Sequence, residues 1–261
     1  MLVSIGARRL FVEKLGTGSP VVVIEVGSTM PGTADPGWRL IADRLAKEQQ
    51  VFLYDRANLG KSDPAPLPRS LTDFSEDLSQ VLQESAVPPP YLLVGGSFGG
   101  MIVLHYASLH PREVCGVVLV DSTHPEANLQ TLKMLPPERP NELKALAAFR
   151  RQAWLEQYTP LETFEKERLE AATSLEQARA WNLGDIPLVV LTAGIDEWEE
   201  GFPGDIAEKY ESLWLDLQKQ MAALSSRSIH RVVEDSDHII HVRKPEAVME
   251  AIRTAIHLGR R

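Results

Sequence analysis

An α/β fold, with a mostly parallel sheet covered by helices on both faces, follows from three features of this 261-residue chain. Runs such as "VVVIEVG" from Val21 and "VCGVVLVD" from Val114 are continuously apolar and β-branched, as strands buried on both faces are. Between such runs lie segments whose apolar residues recur at three and four, the period of a helix with one buried face. Strands alternating with helices along a chain give a parallel sheet with crossover helices on its two faces.

The elements run in order. "RRLFVEKLG" alternates and ends in the turn segment "TGSP", after which "VVVIEVG" forms a buried strand. "WRLIADRLAKE" repeats Leu40, Ile41 and Leu45 as a helix, and "QVFLYD" is the next strand. "SLTDFSEDLSQVLQESAV" opens on Ser and Thr start signals, places Leu78, Val81 and Leu82 on one face, and stops at "PPP". "YLLVG", a helix over 98–110, "VCGVVLVD", "IPLVVLTAG" and "RSIHRVVED" continue the alternation. "KPEAVMEAIRTAIH" closes it with a helix carrying proline in its first turn. A chain of this length supports one large core, and there are no repeats or low-complexity tracts.

The interruption spans residues 123–185, which are helical by pattern, poor in strand signals and rich in Glu, Lys and Arg. It reads as a helical cap inserted between two strands of a single domain. Thr159 with Glu162 forms a capping box, and Ser174 with Gln177 repeats the device. An insertion of this kind is expected over the carboxyl ends of the strands, where open α/β sheets bind ligands. Within it Leu143, Leu146, Phe149 and Ala153 make an apolar stripe, and Trp154, Trp181 and Trp198 are candidates for an apolar pocket.

Composition excludes several partners. A formal net charge of −9 and a pI near 5.3 give no general attraction for phosphate backbones or anionic lipid, so neither nucleic acid nor membrane is expected. No run reaches the roughly 18 apolar residues of a membrane span, and the amino-terminal segment lacks the pattern of a secretory signal. The expectation is a cytoplasmic protein. The single cysteine, Cys115, starts an apolar strand and reads as a small packed thiol.

Chemistry enters at "GGSFGG". Gly95-Gly96-Ser97-Phe98-Gly99 fits G-x-S-x-G between an apolar strand and a helix, the context in which a strained turn presents a nucleophilic serine. The glycines two before and two after Ser97 make room for neighbouring elements. The same turn aims the Phe98 backbone N–H, at a helix N-terminus, toward a developing oxyanion.

With that motif, "VVIEVGST", "YDRANLGKSDP", "LLVGGSFGGMIVLHYASLHPREVCGVVLVDS" and "SDHIIHVRKPEAVMEAI" make the chain resemble the α/β-hydrolase superfamily from about Arg9 to Ile256. The resemblance implies an α/β-hydrolase fold, hydrolysis of an ester, amide or lactone through a Ser-His-acid triad, and neither cofactor nor metal. It places the general base at His238, after the last strand. His241 is the nearest rival, whereas His105, His110, His230 and His257 suit structural or surface roles. In most of the family the acid follows the strand "PLVVLTAG", which offers Asp196 at a shortened spacing. A minority, some lipases and dehalogenases among them, use an acid directly after the preceding strand, where this chain has Asp121. Asp121 is preferred and Asp196 is the alternative acid.

The family's second oxyanion donor is a backbone N–H after a His-Gly pair. Here Val26-Gly27-Ser28 stands in that place, so Ser28 is the candidate. Asn58 replaces a frequent glycine in a turn that calls for a left-handed residue, a conformation asparagine tolerates. Thr123 and His124 follow Asp121 at the pocket entrance or stabilise the loop there. The reading is a serine hydrolase of a small-molecule acyl substrate, most simply a carboxylic ester. Lactonase, peptidase, perhydrolase and acyltransferase chemistry share the triad, a serine at position 97 disfavours a dehalogenase, and a non-hydrolytic receptor on the same fold is the reading from another class. Oligomeric state is not legible.

Overall fold

The computed structural model describes residues 1–28, 30–158, 166–195, 198 and 200–260. Eight strands form one sheet: β1 (Leu2–Ile5), β2 (Arg8–Leu15), β3 (Val21–Glu25), β4 (Val51–Tyr54), β5 (Tyr91–Gly96), β6 (Val114–Val120), β7 (Leu188–Ala193) and β8 (Ser228–Val233). Their spatial order is β1-β2-β4-β3-β5-β6-β7-β8; β1 and β2 pair antiparallel, as do β2 and β4, and the rest of the sheet is parallel. The helices among the described residues are α1 (Pro36–Leu45), α2 (Leu71–Glu84), α3 (Phe98–Leu109), α4 (Ala127–Met134), α5 (Lys144–Tyr158), α6 (Ala171–Ala178), α7 (Gly204–Ala222), α8 (Ile240–Arg243) and α9 (Pro245–Gly259). None is long and apolar enough to cross a membrane.

The continuous apolar strands are buried on both sides because successive side chains enter different cores. Val21 and Val23 of β3 pack with α2 and α3, while Val22 and Ile24 pack with α1 and α9. α3 lies deepest; every residue from Phe98 to Ala107 is buried, and it is apolar all round. Helices α1 and α2 begin at side-chain caps. The Asp35 carboxylate accepts the Trp38 N–H at 2.8 Å at the head of α1, and Ser70 and Asp73 close a capping box on α2.

Several expectations are corrected. Leu40 is exposed, and the buried face of α1 is Trp38, Ile41, Ala42 and Leu45. Leu143 precedes α5 and is exposed, leaving Leu146, Phe149 and Ala153 to pack. Ser174 does not cap: the Glu170 carboxylate accepts the Thr173 N–H at 2.7 Å and starts α6 four residues earlier, so Ser174 is buried inside the helix. Thr159 and Glu162 lie outside the described residues. The hairpin partner β1 has no counterpart among the expected elements; its alternation, Val3 and Ile5 in and Leu2 and Ser4 out, is only four residues long.

The turn glycines behave as the motif requires. A Cβ on Gly95 would stand 2.6 Å from the Gly100 Cα, and one on Gly99 would stand 2.2 Å from the Glu25 carbonyl oxygen and 2.6 Å from that of Val26. Backbone cannot yield there as a flexible side chain would. Gly99→Ala is therefore expected to cost about 1–3 kcal/mol, read as a lower urea midpoint. It should also lower activity, because the displaced backbone leads into Gly27 and Ser28.

Candidate active site

The carboxyl edge of the parallel strands gathers the functional groups. Ser97 directly follows β5, Asp121 directly follows β6, His238 lies beyond β8, and Ser28 lies beyond β3. Ser97 adopts φ 49° and ψ −124°, a strained combination for a residue with a Cβ, held by its N–H donating to the Val120 carbonyl at 3.2 Å and its carbonyl accepting from Gly100 and Thr123. Asp121 is also left-handed, at φ 42°, and its N–H donates to the Leu191 carbonyl at 2.7 Å.

These backbones bring three side chains into one row. His238 Nε2 is 3.1 Å from Ser97 Oγ, and His238 Nδ1 is 2.6 Å from Asp121 Oδ2. An ionised carboxylate only accepts, so Nδ1 carries the proton and Nε2 of the neutral ring is left to accept from the Ser97 hydroxyl. Asp121 Oδ1 accepts from the Ala193 N–H at 2.9 Å and the Trp214 indole N–H at 3.0 Å. The carboxylate is thus buried and fixed on both oxygens, with its side chain 3% exposed, while the imidazole is half exposed. Asp196 lies outside the described residues.

The other histidines are engaged elsewhere. His241 stacks on Trp38 with ring centroids 4.6 Å apart, and its Nε2 lies 3.7 Å from Asp35. His230 meets Thr192 at 2.8 Å and His110 packs on Tyr106. His105 accepts the Trp181 indole N–H at Nδ1 and meets the Thr72 hydroxyl at Nε2, and burial lowers its pKa. The folded chain therefore refuses a proton that the unfolded chain takes up near pH 6.5. The stability that His105 contributes is present above that pH and is lost as pH falls toward the folded value. The urea midpoint of the wild type should accordingly fall more between pH 7.5 and 5.5 than that of His105→Gln.

A cavity of about 380 Å³ opens over Ser97. Ser28, Phe98, Thr123 and His124 line it. His124 Nδ1 accepts the Glu126 N–H at 3.1 Å and burial lowers its pKa, so a neutral ring faces the cavity. Met101, Leu169, Leu175, Tyr210 and Trp214 supply apolar wall, and no Lys or Arg among the described residues lines it. The three tryptophans singled out from the sequence are not in this wall. Trp154 is exposed, Trp181 is buried against His105, and Trp198 stacks on Phe202 beside Phe149 and Tyr210. Among the described residues there is no His, Cys, Asp and Glu cluster able to hold a metal ion. Cys115 is partly buried with its thiol on the Tyr91 carbonyl, and burial pushes its pKa up, away from nucleophile chemistry.

One charged group beside the site escaped sequence reading. Arg56 is 2% exposed and lies between Glu25 at the end of β3 and Glu167 in the segment before α6. Its Nη1 donates to Glu25 at 2.6 Å, its Nε and Nη2 grip Glu167 at 2.6 and 3.0 Å, and the Tyr54 hydroxyl donates to Glu25 at 2.5 Å. Burial pulls the guanidinium pKa down, but the charges of Glu167 and Glu25 outweigh it and hold it raised. Burial raises the Glu25 pKa, with Arg56 and Tyr54 opposing. The signal available in the sequence was Glu25 itself, a carboxylate inside an apolar strand, which needs a buried partner.

A family model described as alpha/beta hydrolase fold matches residues 20–245. The uncharacterized protein YqjL of Bacillus subtilis (strain 168) is 27% identical over 242 residues, covering 92% of this chain and 85% of that protein. Among solved structures, a thermophilic esterase from Thermogutta terrifontis superposes with a TM-score of 0.64 at 21% identity, covering 99% of this chain and 98% of that one. Alpha/beta hydrolase domain-containing protein 10 from mouse does so with a TM-score of 0.66 at 16% identity, covering 98% of each chain. At such identities the structural likeness bears on the fold, which is the one read from strand order and from the turn at Ser97. The chain belongs to the alpha/beta hydrolase fold family.

Proposed function

We propose that the protein is a serine hydrolase acting on a carboxylic ester or a related uncharged acyl compound. The observation that carries this reading is the row Ser97–His238–Asp121 at the floor of a cavity, with distances of 3.1 and 2.6 Å. Ser97 Oγ attacks the substrate carbonyl carbon while His238 Nε2 takes the hydroxyl proton, and the carbonyl π electrons move onto oxygen. Asp121 keeps the imidazole oriented and stabilises its charge. The Phe98 and Ser28 N–H groups hold the oxyanion, the former at the positive end of α3. Collapse expels the alkoxide, which receives the proton from His238; water then attacks the acyl-enzyme by the same steps and frees the acid and Ser97.

Fold likeness does not select the substrate. The cavity wall supports the choice of class. Its described lining mixes apolar side chains such as Met101, Leu169, Leu175 and Trp214 with the carboxylates of Glu156 and Glu167, and contains no Lys or Arg to meet a substrate carboxylate. Residues 123–185 serve as a cap in this proposal, α6 and the segment before it supplying Leu169, Ala171 and Leu175 to the wall. The test is steady-state turnover of neutral short-chain p-nitrophenyl esters beside a succinate monoester of the same alcohol. Turnover of the neutral esters with at least about tenfold preference over the anionic one is expected, about the strength of one exposed charge contact in a cavity. No turnover of any ester by folded protein contradicts the reading.

A further inference from the structure

We propose that Arg56 is a positioning residue that sets the orientation of the oxyanion loop and ties that orientation to the seating of the segment carrying Glu167. The inference rests on the serine hydrolase reading above and extends it to a residue that touches no substrate. Arg56 Nη1 donates to the Val26 carbonyl at 2.8 Å, and Nη2 donates to the Gly27 carbonyl at 2.7 Å. The Gly27 carbonyl and the Ser28 N–H belong to one planar trans peptide and point in opposite directions. Pulling the carbonyl onto the buried guanidinium therefore turns the N–H away from it, on the loop that lines the cavity with Ser97. The Gly27 backbone stands beside the serine, since a Cβ built on it would lie 3.5 Å from the Ser97 Cβ. The guanidinium carbon also sits 5.6 Å from the centre of the Phe98 ring, so one side chain meets both Phe98 and the peptide whose N–H is that of Ser28.

The remaining donors of Arg56 are spent on carboxylates, Glu167 in the segment before α6 and Glu25 at the end of β3. Glu167 engages Nε and Nη2 with both oxygens, and Glu25 engages Nη1. Glu167 is itself held through its neighbours in the chain: the Arg69 N–H donates to the Arg168 carbonyl at 2.9 Å, and the Glu170 N–H donates to the Arg69 carbonyl at 2.7 Å. Displacing this segment removes the carboxylate that fixes the plane of the guanidinium, and with it the angle of the Gly27–Ser28 peptide. The planar fork is what permits this. A lysine ammonium cannot reach two carbonyls and two carboxylates in one plane.

The experiment compares wild type, Arg56→Lys and Glu167→Gln in nitrophenyl ester kinetics and in the rate at which a fluorophosphonate phosphonylates Ser97 with loss of fluoride, each variant first shown to unfold cooperatively. Misaimed oxyanion donors predict a fall of about 10- to 100-fold in kcat and in phosphonylation for Arg56→Lys. For Glu167→Gln, which keeps its shape and one acceptor, the expected fall is about 3- to 10-fold, with KM within about threefold in both. A merely structural loosening of the wall acts on KM instead. Wild-type kcat and phosphonylation in either folded variant, or a loss carried by KM, overturns the proposal. Should Arg56→Lys not fold, the isosteric Glu167→Gln decides alone. A wild type that is itself not phosphonylated overturns the serine hydrolase reading and this inference with it, whereas a labelled wild type with unaffected variants overturns only the coupling.

Discussion

Ser97→Ala is expected to reduce kcat/KM for a p-nitrophenyl ester by about 10⁴-fold or more, to the buffer background, while leaving stability within about 1 kcal/mol. The first half follows from the proposed mechanism: Ser97 Oγ stands 3.1 Å from His238 Nε2, and its loss removes the hydroxyl that would attack the carbonyl carbon. The second half follows from what Ser97 does not do. Its side chain makes no cap bond to α3, and the turn is held by its backbone N–H and carbonyl, which alanine retains. The strain at φ 49° is carried by either residue alike. A variant with unchanged unfolding and no turnover, measured by denaturant titration beside the ester assay, is the expected pair of results.

Asp121→Asn is expected to lower kcat by about 10³- to 10⁴-fold with the protein folded. The amide oxygen can keep the two N–H donors now on Oδ1, from Ala193 and Trp214, which fixes the flip of the side chain. The NH₂ then faces His238 Nδ1, where a donor would meet a donor. The ring answers by moving its proton to Nε2, and in that tautomer it cannot accept the proton of Ser97. Asp196→Asn is expected to leave kcat within about threefold, since Asp121 already fills the single acceptor position on Nδ1 at 2.6 Å. Side-by-side kinetics on the two variants check this; a collapse with Asp196→Asn and not with Asp121→Asn reverses the assignment of the acid.

Residues whose backbone geometry is forced are legible in the sequence. Ser97 announces itself because glycines at 95 and 99 are the only residues that clear Gly100, Glu25 and Val26. Asn58, at φ 71°, stands where a left-handed residue is required. Asp121 is favoured by its place directly after a strand, and it is the carboxylate that the structure puts against His238. Groupings that depend on distant packing stay hidden. Trp214 reaches Asp121 across 93 positions and Glu167 reaches Arg56 across 111, and neither pairing leaves a local pattern. The candidate tryptophans stand out in the sequence by bulk alone, yet the aromatic wall comes from Tyr210 and Trp214 of α7, a segment whose sequence reads as a helix but whose docking beside the site leaves no local pattern. Helix faces read one residue too wide, at Leu40 and Leu143, because periodicity fixes a stripe and tertiary contact fixes its edges.

The most direct measurement is the intact mass of wild type, Ser97→Ala and His238→Ala after exposure to a fluorophosphonate, because it reads activation of the serine without requiring the natural substrate. One adduct on wild type, located on Ser97, and none on either folded variant in the same time is the result expected of an activated Ser97. Wild-type protein that remains unmodified while folded, or His238→Ala labelled as fast as wild type, would contradict it.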